Sequence, residues 1–478
     1  MNKDISILAI YPTSFELQGF DYMPPLGMAW IASVIREHGY DVHLLDQQVD
    51  KRNIQQFTEE IKPTMVFIGG TSHSRFNAFD IARKIKEVNE SIYVVYGGPH
   101  ASFTAKETLE YIKDIDIIVH GEGEYISLDL LSWKKARGTI TQLYSLKGIS
   151  FRHDGRIIST GWRPSIRDLD LLPNPARDLL PMEKYNSRLE YLQLPATSII
   201  TARGCPIGCS YCSASRMFPD HYAYRSANFI VDEIENLMDK YSIRGFKIFD
   251  STFTLNSRHV TSFCNELLNR KLVIPWECEV RVGSVNQELL ELMKKAGCYY
   301  LDVGIESGHQ DVLNSMGKKI FVSQSEEFLK TAQKVGLLVK AFFSIGHIGE
   351  TYRKGKESIK FIYRNKKRIK LVILNPGLRI YPGTKLEEYA NSNSLFPEGF
   401  NWSKPFENTV NKKLFLPVHS IPILIQPQMG IKEIRRLRIL YFLSMISLKH
   451  ILFRFKYHHD YGQLKRYVST LIKSLLSS

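Results

Sequence analysis

Short apolar, β-branched runs alternate with segments of helical period along most of this 478-residue chain, and this alternation restricts the fold more than any other feature. Ile5–Tyr11, Val42–Asp46, Met65–Gly69 and Tyr93–Gly97 read as strands, with a fifth at Ile115–Val119. Pro25–His38, Asn53–Ile61 and Phe76–Asn89 read as the helices between them. Parallel neighbours need a crossover, so this spacing predicts a doubly wound parallel sheet over residues 1–145. Six further βα units follow. Their strands are Thr197–Thr201, Phe246–Asp250, Trp276–Val280, Tyr299–Gly304, Ala341–Gly346 and Ile373–Tyr381, separated by helical patterns. Residues 146–196 read as a linker: His153-Asp154-Gly155 marks a hairpin, and a Pro-rich connector runs from Asp168 to Pro181. Residues 391–478 read as a helical extension after a second domain at 197–390.

With 44% hydrophobic and 23% charged residues, the chain has a globular composition, which excludes disorder and a small disulfide scaffold. The formal charge of +14 raises nucleic acid or a membrane surface as partner. Its distribution argues against nucleic acid: residues 1–145 carry 14 basic and 19 acidic side chains, while residues 431–478 carry 10 basic and 2 acidic. No apolar run reaches the length of a membrane span, and the N-terminus lacks a signal-peptide pattern, so the expected compartment is cytoplasmic.

Three of the six cysteines fall within eight residues. The spacing Cys205-x3-Cys209-x2-Cys212 puts three thiolates on one tight loop. Three thiolates can each hold one iron of a 4Fe-4S cluster and leave the fourth iron open to a small chelator, such as the amino and carboxylate groups of S-adenosylmethionine (SAM). Structural zinc and a ferredoxin-type cluster both need a fourth ligand nearby. The next histidine is His221, and Cys264, Cys278 and Cys298 lie in separate elements, where they read as apolar core. With Tyr211 before the third cysteine, the loop closely resembles the signature loop of radical SAM enzymes, and the six βα units match that family's partial (β/α)6 barrel.

Active sites of such barrels lie at the C-terminal strand ends. Strand two ends in Asp250-Ser251, which the resemblance assigns to the SAM amino group; Asp250 reads equally as a helix cap. Arg281 on strand three is open between the cofactor carboxylate and a surface ion pair. Gly304 and Glu306 end strand four, which the family uses for the ribose and amino groups of SAM. Gly346-His347-Ile348-Gly349-Glu350-Thr351 and Arg379-Ile380-Tyr381-Pro382-Gly383-Thr384 also follow family patterns; Glu350 and Thr351 read as a helix start, and Arg379 and Tyr381 as cavity-facing.

The first sheet is expected to bind its ligand beyond the strand ends. These carry Tyr11-Pro12, Gly70-Thr71-Ser72, Gly97-Gly98-Pro99-His100 and Gly121-Glu122-Gly123-Glu124. With Pro24-Pro25-Leu26-Gly27 they resemble the cobalamin-binding domain that precedes many radical SAM enzymes. Those residues would hold a corrinoid. The loop after strand one lacks the Asp-x-His-x-x-Gly cobalt-ligand pattern, and His43 reads as an ordinary strand residue.

The combined resemblance implies reductive SAM cleavage to a 5′-deoxyadenosyl radical, hydrogen abstraction from an unactivated carbon, and methyl transfer from the corrinoid. Oxidative cyclisation, as in anaerobic Mg-protoporphyrin monomethyl ester cyclase, uses the same parts. A methylthiotransferase would need a second cysteine-ligated cluster near the N-terminus, and residues 1–204 hold no cysteine. A non-catalytic corrinoid and iron–sulfur carrier would not need the motif-like strand ends. The implied partners are a small-molecule or lipid substrate and an external flavodoxin- or ferredoxin-type electron donor. The basic pattern at Ile431–Tyr457 either caps the barrel or lies on a membrane surface.

Overall fold

The computed structural model describes residues 2–14, 22–219, 221–272, 274–414, 416 and 420–445, and the chain divides into two compact units. The first comprises Met1–Ser187 with the short segments Met217–Ala223 and Gly399–Phe406. Its sheet contains β1 (Asn2–Tyr11), β2 (Tyr40–Asp46), β3 (Met65–Ile68), β4 (Tyr93–Tyr96), β5 (Ile117–Val119), β6 (Ile149–His153) and β7 (Arg156–Ser159), in the order β2-β1-β3-β4-β5-β6-β7. Strands β1 to β5 are parallel, and the order reverses between β1 and β3, which makes the strand ends there a switch point. Ile7–Ile10 and Met65–Ile68 are buried at every position, as helices on both faces require.

The hairpin read as part of a linker belongs to this sheet. β6 pairs antiparallel with β5 and β7 with β6, and Ile149 and Phe151 complete the core. Asp154 and Gly155 both have positive φ, as a two-residue turn between strands demands. The Pro-rich connector is also tied down. The Trp30 indole donates to Pro173 O and Ser33 Oγ to Asn174 O, fastening it to the helix Leu26–Glu37. The first unit therefore runs to Ser187 rather than ending near residue 145.

The second unit holds β8 (Thr197–Ile199), β9 (Phe246–Ile248), β10 (Trp276–Val280), β11 (Cys298–Glu306), β12 (Leu338–Ile345) and β13 (Leu371–Pro376), all parallel and in sequential order. Helices alternate with them, and Ile234, Phe263, Met293, Leu329 and Ile362 from those helices pack with the strands in one apolar core. This is the singly wound order of a partial barrel. β13 stops at Pro376, short of the expected Tyr381, because Gly377 turns the chain with φ +100°. Cys264, Cys278 and Cys298 are buried in this core. Helix Ile431–Met445 packs through Leu437 on the helix Tyr352–Asn365: a Cβ at Gly355 would stand 2.4 Å from Leu437 Cδ1. That half of the C-terminal pattern caps the barrel helices. Its continuation from 446 lies outside the described residues. No described helix is long and apolar enough to cross a membrane.

Candidate active site

Within the second unit, a cavity of about 380 Å³ opens at the C-terminal strand ends and is lined by Cys205, Cys209 and Cys212. The cysteine loop is fixed at several points. Thr201 N and Ala202 N donate to Asp250 Oδ1 (2.7 and 3.0 Å), and Thr201 Oγ1 donates to Oδ2 (2.5 Å). Further along, Ser210 N donates to Met316 O and Leu386 N to Ser210 O, both at 2.8 Å. Gly208, at φ +78°, makes the turn between the first two cysteines. Burial and the neighbouring thiols push Cys212 up to about 11; burial likewise raises Cys209. The Cys209 and Cys212 thiols, disfavoured as bare thiolates, suit a cationic metal group, whose binding displaces their protons. Among the described residues, no three His, Cys, Asp or Glu side chains group tightly enough for a single metal ion.

Opposite the loop lies a buried polar chain. Lys318 Nζ donates to Glu306 Oε1 (3.1 Å) and to the Tyr211 hydroxyl (3.3 Å), and Ser344 Oγ donates to Glu306 Oε2 (2.8 Å). Burial alone would raise Glu306; Lys318 and the Ser344 hydrogen bond reverse this and hold its carboxyl below the usual range. Glu306 sits at φ +67° beside a register shift in β11, which turns its side chain into the cavity. Gly304 makes room, since a Cβ there would stand 2.7 Å from both Glu306 Oε1 and Lys318 Nζ.

The sequence-predicted SAM contacts separate here. Tyr211, Ser251, Arg281, Gly304 and Glu306 line the cavity. Asp250 is buried, and its carboxylate is spent on the strand leading to the cysteine loop, so it acts on the loop rather than on a ligand in the cavity. Arg281 is in no ion pair among the described residues. Its guanidinium donates to the carbonyls of Val282, Lys318 and Lys319 and braces the turn that presents Lys318. Arg379, from the segment after β13, lines the cavity with no hydrogen-bond or ion-pair partner among the described residues, and its Nε is buried. Its neighbours Leu378 and Ile380 pack with Tyr211. Thr351 caps the helix Tyr352–Asn365, and Glu350 accepts from Gly346 N and His347 N, as a helix-start reading expects. Lys318 and Ser344 were missed. The turn after a short helix that carries Lys318 has no motif, whereas Ser344 was findable from the polar alternation of β12.

In the first unit, the ends of β1, β3 and β4 converge. A Cβ at Gly98 (φ +100°) would stand 2.5 Å from Gly70 O, and one at Gly70 would stand 3.3 Å from Pro12 Cγ. Ser72 Oγ and His100 Nδ1 share a hydrogen bond (3.0 Å); Thr71 N donates to Ser74 Oγ. His100 Nε2, the Tyr96 hydroxyl and Ser403 Oγ are buried without partners among the described residues. Tyr11 pairs in register with Asp46, and burial next to that carboxylate pushes its phenol up to about 12. Gly97 follows the last residue of β4, and Pro99 opens the next helix. Glu122 accepts from Ile166 N (2.7 Å), Gly123 lies against Ile31, and buried Glu124 starts a helix. Gly121 stands under Trp162. Trp402, from an aromatic segment that the sequence marks as able to close a cavity, and Arg75, unforeseen from sequence, complete this edge: Arg75 Nε donates to Trp402 O (2.9 Å), and the Trp402 ring meets His100.

Residues 199–362 match the Radical SAM superfamily and residues 20–131 the B12 binding domain. The chain is 33% identical to an uncharacterised methyltransferase of Pyrococcus horikoshii over 80% of its own length and 81% of that protein. The chain belongs to the cobalamin-binding radical SAM enzymes. It is also 30% identical to the anaerobic magnesium-protoporphyrin IX monomethyl ester cyclase of Cereibacter sphaeroides over 71% of its length, and spans 56% of that relative. Its fold matches the radical SAM methyltransferase TsrM of Kitasatospora setae, solved with cobalamin and a [4Fe-4S] cluster. The TM-score is 0.74 at 15% identity, covering 93% of this chain and 90% of the other.

As a cobalamin-binding radical SAM enzyme, the chain takes three cofactors: a 4Fe-4S cluster, SAM and cobalamin. The residues present fit them. Three thiols share a cavity with an open side, and orphaned buried polar atoms collect where the first sheet's glycine loops converge.

Proposed function

We propose that the protein is a cobalamin-dependent C-methyltransferase acting on an unactivated carbon of a small-molecule or lipid substrate. When bound, the cluster with SAM supplies a 5′-deoxyadenosyl radical, and the corrinoid supplies a transferable methyl group. The observation that carries this reading is one cavity holding all three cysteines together with the Glu306–Lys318 pair. In it, Cys205, Cys209 and Cys212 would ligate the cluster. Arg379, with no partner among the described residues beside Tyr211, would hold the SAM carboxylate by charge-assisted hydrogen bonds. Glu306 would take the ribose hydroxyls, kept ionised by Lys318 and Ser344. Asp250 and Arg281 would position the loop and the Lys318 turn without touching SAM.

On the first sheet, the converging loops at Pro12, Gly70–Ser72 and Gly97–His100 would cradle the corrinoid. Similarity to an uncharacterised methyltransferase over four fifths of both chains favours methylation over cyclisation. An external one-electron donor of flavodoxin or ferredoxin type completes the scheme. The test is anaerobic reconstitution with iron, sulfide and hydroxocobalamin, then reduction with SAM. The expected result is a retained corrinoid and 5′-deoxyadenosine; absence of both overturns the reading.

A further inference from the structure

The interior of a parallel barrel is ordinarily filled by branched apolar side chains, yet the floor of this cavity is charged. The register sets Lys247 beside Glu277, Glu279 beside Asp302, and Asp302 beside Lys340. Most of these charges are matched. Lys247 Nζ lies 3.8 Å from Glu277 Oε2, and the Tyr299 hydroxyl donates to the other oxygen. Lys340 Nζ lies 3.0 Å from Asp302 Oδ2 and 3.2 Å from Glu190 Oε1. Glu279 makes no hydrogen bond or ion pair with any described residue, and its carboxyl opens into the cavity that holds the cysteines. Beside it, Asp302 Oδ1 is buried without a partner among the described residues.

We propose that Glu279, with Asp302 Oδ1 beside it, is the substrate-orienting contact of this cavity and takes a hydrogen-bond donor of the substrate, a hydroxyl or an ammonium close to the reacting carbon. The inference rests on the radical SAM reading and names the substrate class that reading leaves open. Acceptors on neighbouring strands stand about 5 Å apart, within reach of one small donor group. Asp302 Oδ1 is the buried acceptor left unpaired, a state that costs about 1–3 kcal/mol and that a donor-bearing substrate relieves, while Glu279 stands solvent-exposed in the open cavity and meets the same donor from that side. A carboxylate or phosphate would instead face two acidic groups. The cations beside these two groups are taken: Lys247 and Lys340 are paired, Lys318 is held by Glu306, and Arg281 by carbonyls, while Arg379, which also lines the cavity, is assigned above to the SAM carboxylate. Desolvation by the surrounding cavity walls, with Asp302 and Asp250 alongside, raises the Glu279 carboxyl to about 7, so it can accept from an ammonium after losing its proton or exchange hydrogen bonds with a hydroxyl while keeping it.

The test uses the reconstituted holoenzyme with SAM and excess titanium citrate as reductant. The probes are perdeuterated n-butanol, n-butylammonium and butyrate. A probe seated in the cavity loses deuterium from carbon to the 5′-deoxyadenosyl radical, giving methionine and 5′-deoxyadenosine one mass unit heavier; reductant and a solvent proton quench the probe radical. The labelled fraction of 5′-deoxyadenosine is read, so the overall cleavage rate does not enter. Butanol, butylammonium or both should label saturably at concentrations about tenfold below butyrate; whichever labels best names the donor. Glu279→Leu should abolish this preference. Glu279→Gln, which keeps an acceptor oxygen, should retain it for butanol and lose it for butylammonium. Labelling by butyrate equal to the donor probes, or an unchanged preference in Glu279→Leu with its cluster spectrum intact, overturns the proposal. Absence of any 5′-deoxyadenosine, labelled or not, overturns the radical SAM reading and the inference with it.

Discussion

The two parallel sheets of this chain put their ligand chemistry in different places. In the first, β1, β3 and β4 are apolar on both faces, so nothing inside the sheet can bind a polar ligand, and function is confined to the loops at the strand ends. In the second, β10 reads Trp276-Glu277-Cys278-Glu279-Val280, and β12 places Lys340, Phe342 and Ser344 on one face and Val339, Ala341 and Phe343 on the other. One face of that sheet packs on helices, and the other lines a cavity along the strands themselves. The first sheet therefore offers a rim of glycines for a large rigid ligand. The second offers a walled interior for a reacting group. A lesion in either should be confined to its own cofactor, and this gives the comparison its sharpest tests.

The largest effect is expected from Cys209→Ala. Losing one of three thiolates should abolish the cluster's visible absorption and its reduced-state electron paramagnetic resonance signal, while the corrinoid is retained. An intact cluster in that variant would remove Cys209 from the ligand set. Next is Gly98→Val. Its Cβ would meet Gly70 O at 2.5 Å on a backbone with φ +100°, so the β3 and β4 loops must separate. Corrinoid retention should fall at least about tenfold, with an added stability loss of about 1–3 kcal/mol from the strained backbone. The cluster signal should stay unchanged. Parallel loss of both cofactors would break the comparison.

Much of the fold is legible in the sequence because βα alternation is a local, repeated signal. The strands of both sheets fall within a few residues of where apolar runs place them. The hairpin at Ile149–Ser159 was recognisable as a hairpin, but only its pairing with β5 makes it part of the sheet, and pairing partners are not written locally. The three cysteines stand together in sequence and in space. The remaining cavity residues do not: Glu306 is separated from Lys318 by 12 positions and from Ser344 by 38; the Ser344 contact exists only through the register of β11 and β12, and the Lys318 contact only through the turn after a short helix. Asp250 and Arg281 show the converse. A charged residue at the right strand end was visible, but not that backbone groups would consume its hydrogen bonds. The alternating charges of β10 point to Glu279, but Asp302 lies on β11 and comes beside it only through the register of the two strands.

Lys318→Met sharpens the account of the interior. Side-chain exposure at this pair is 11% for Lys318 and 10% for Glu306, so removing the lysine leaves a buried carboxylate unpaired. The expected cost is about 3 kcal/mol in denaturant unfolding, and SAM binding should weaken by about tenfold or more. Adding Glu306→Gln should restore most of the stability but not the SAM affinity. Full recovery of both would mean that the pair only fills space.

The smallest effect tests the structural role of Asp250. Burial raises its carboxyl to about 6, against an ordinary value of 3.8, although three hydrogen bonds from Thr201 and Ala202 oppose the shift. A raised folded-state value means that the fold binds the proton more tightly than the unfolded chain does. The resulting stabilisation is fully present below about 4 and is lost as pH rises through about 6. Relative to Asp250→Asn, which does not titrate, the wild-type chain should gain about 2 kcal/mol of unfolding free energy between pH 7 and pH 4. If the carboxylate instead met a cation in the cavity, the difference would run the other way, with the wild type losing ground as pH falls. Repeated with SAM bound, the pH dependence separates a loop-positioning Asp250, whose profile stays as it is, from a SAM-binding one, whose profile inverts when the ligand's ammonium is present.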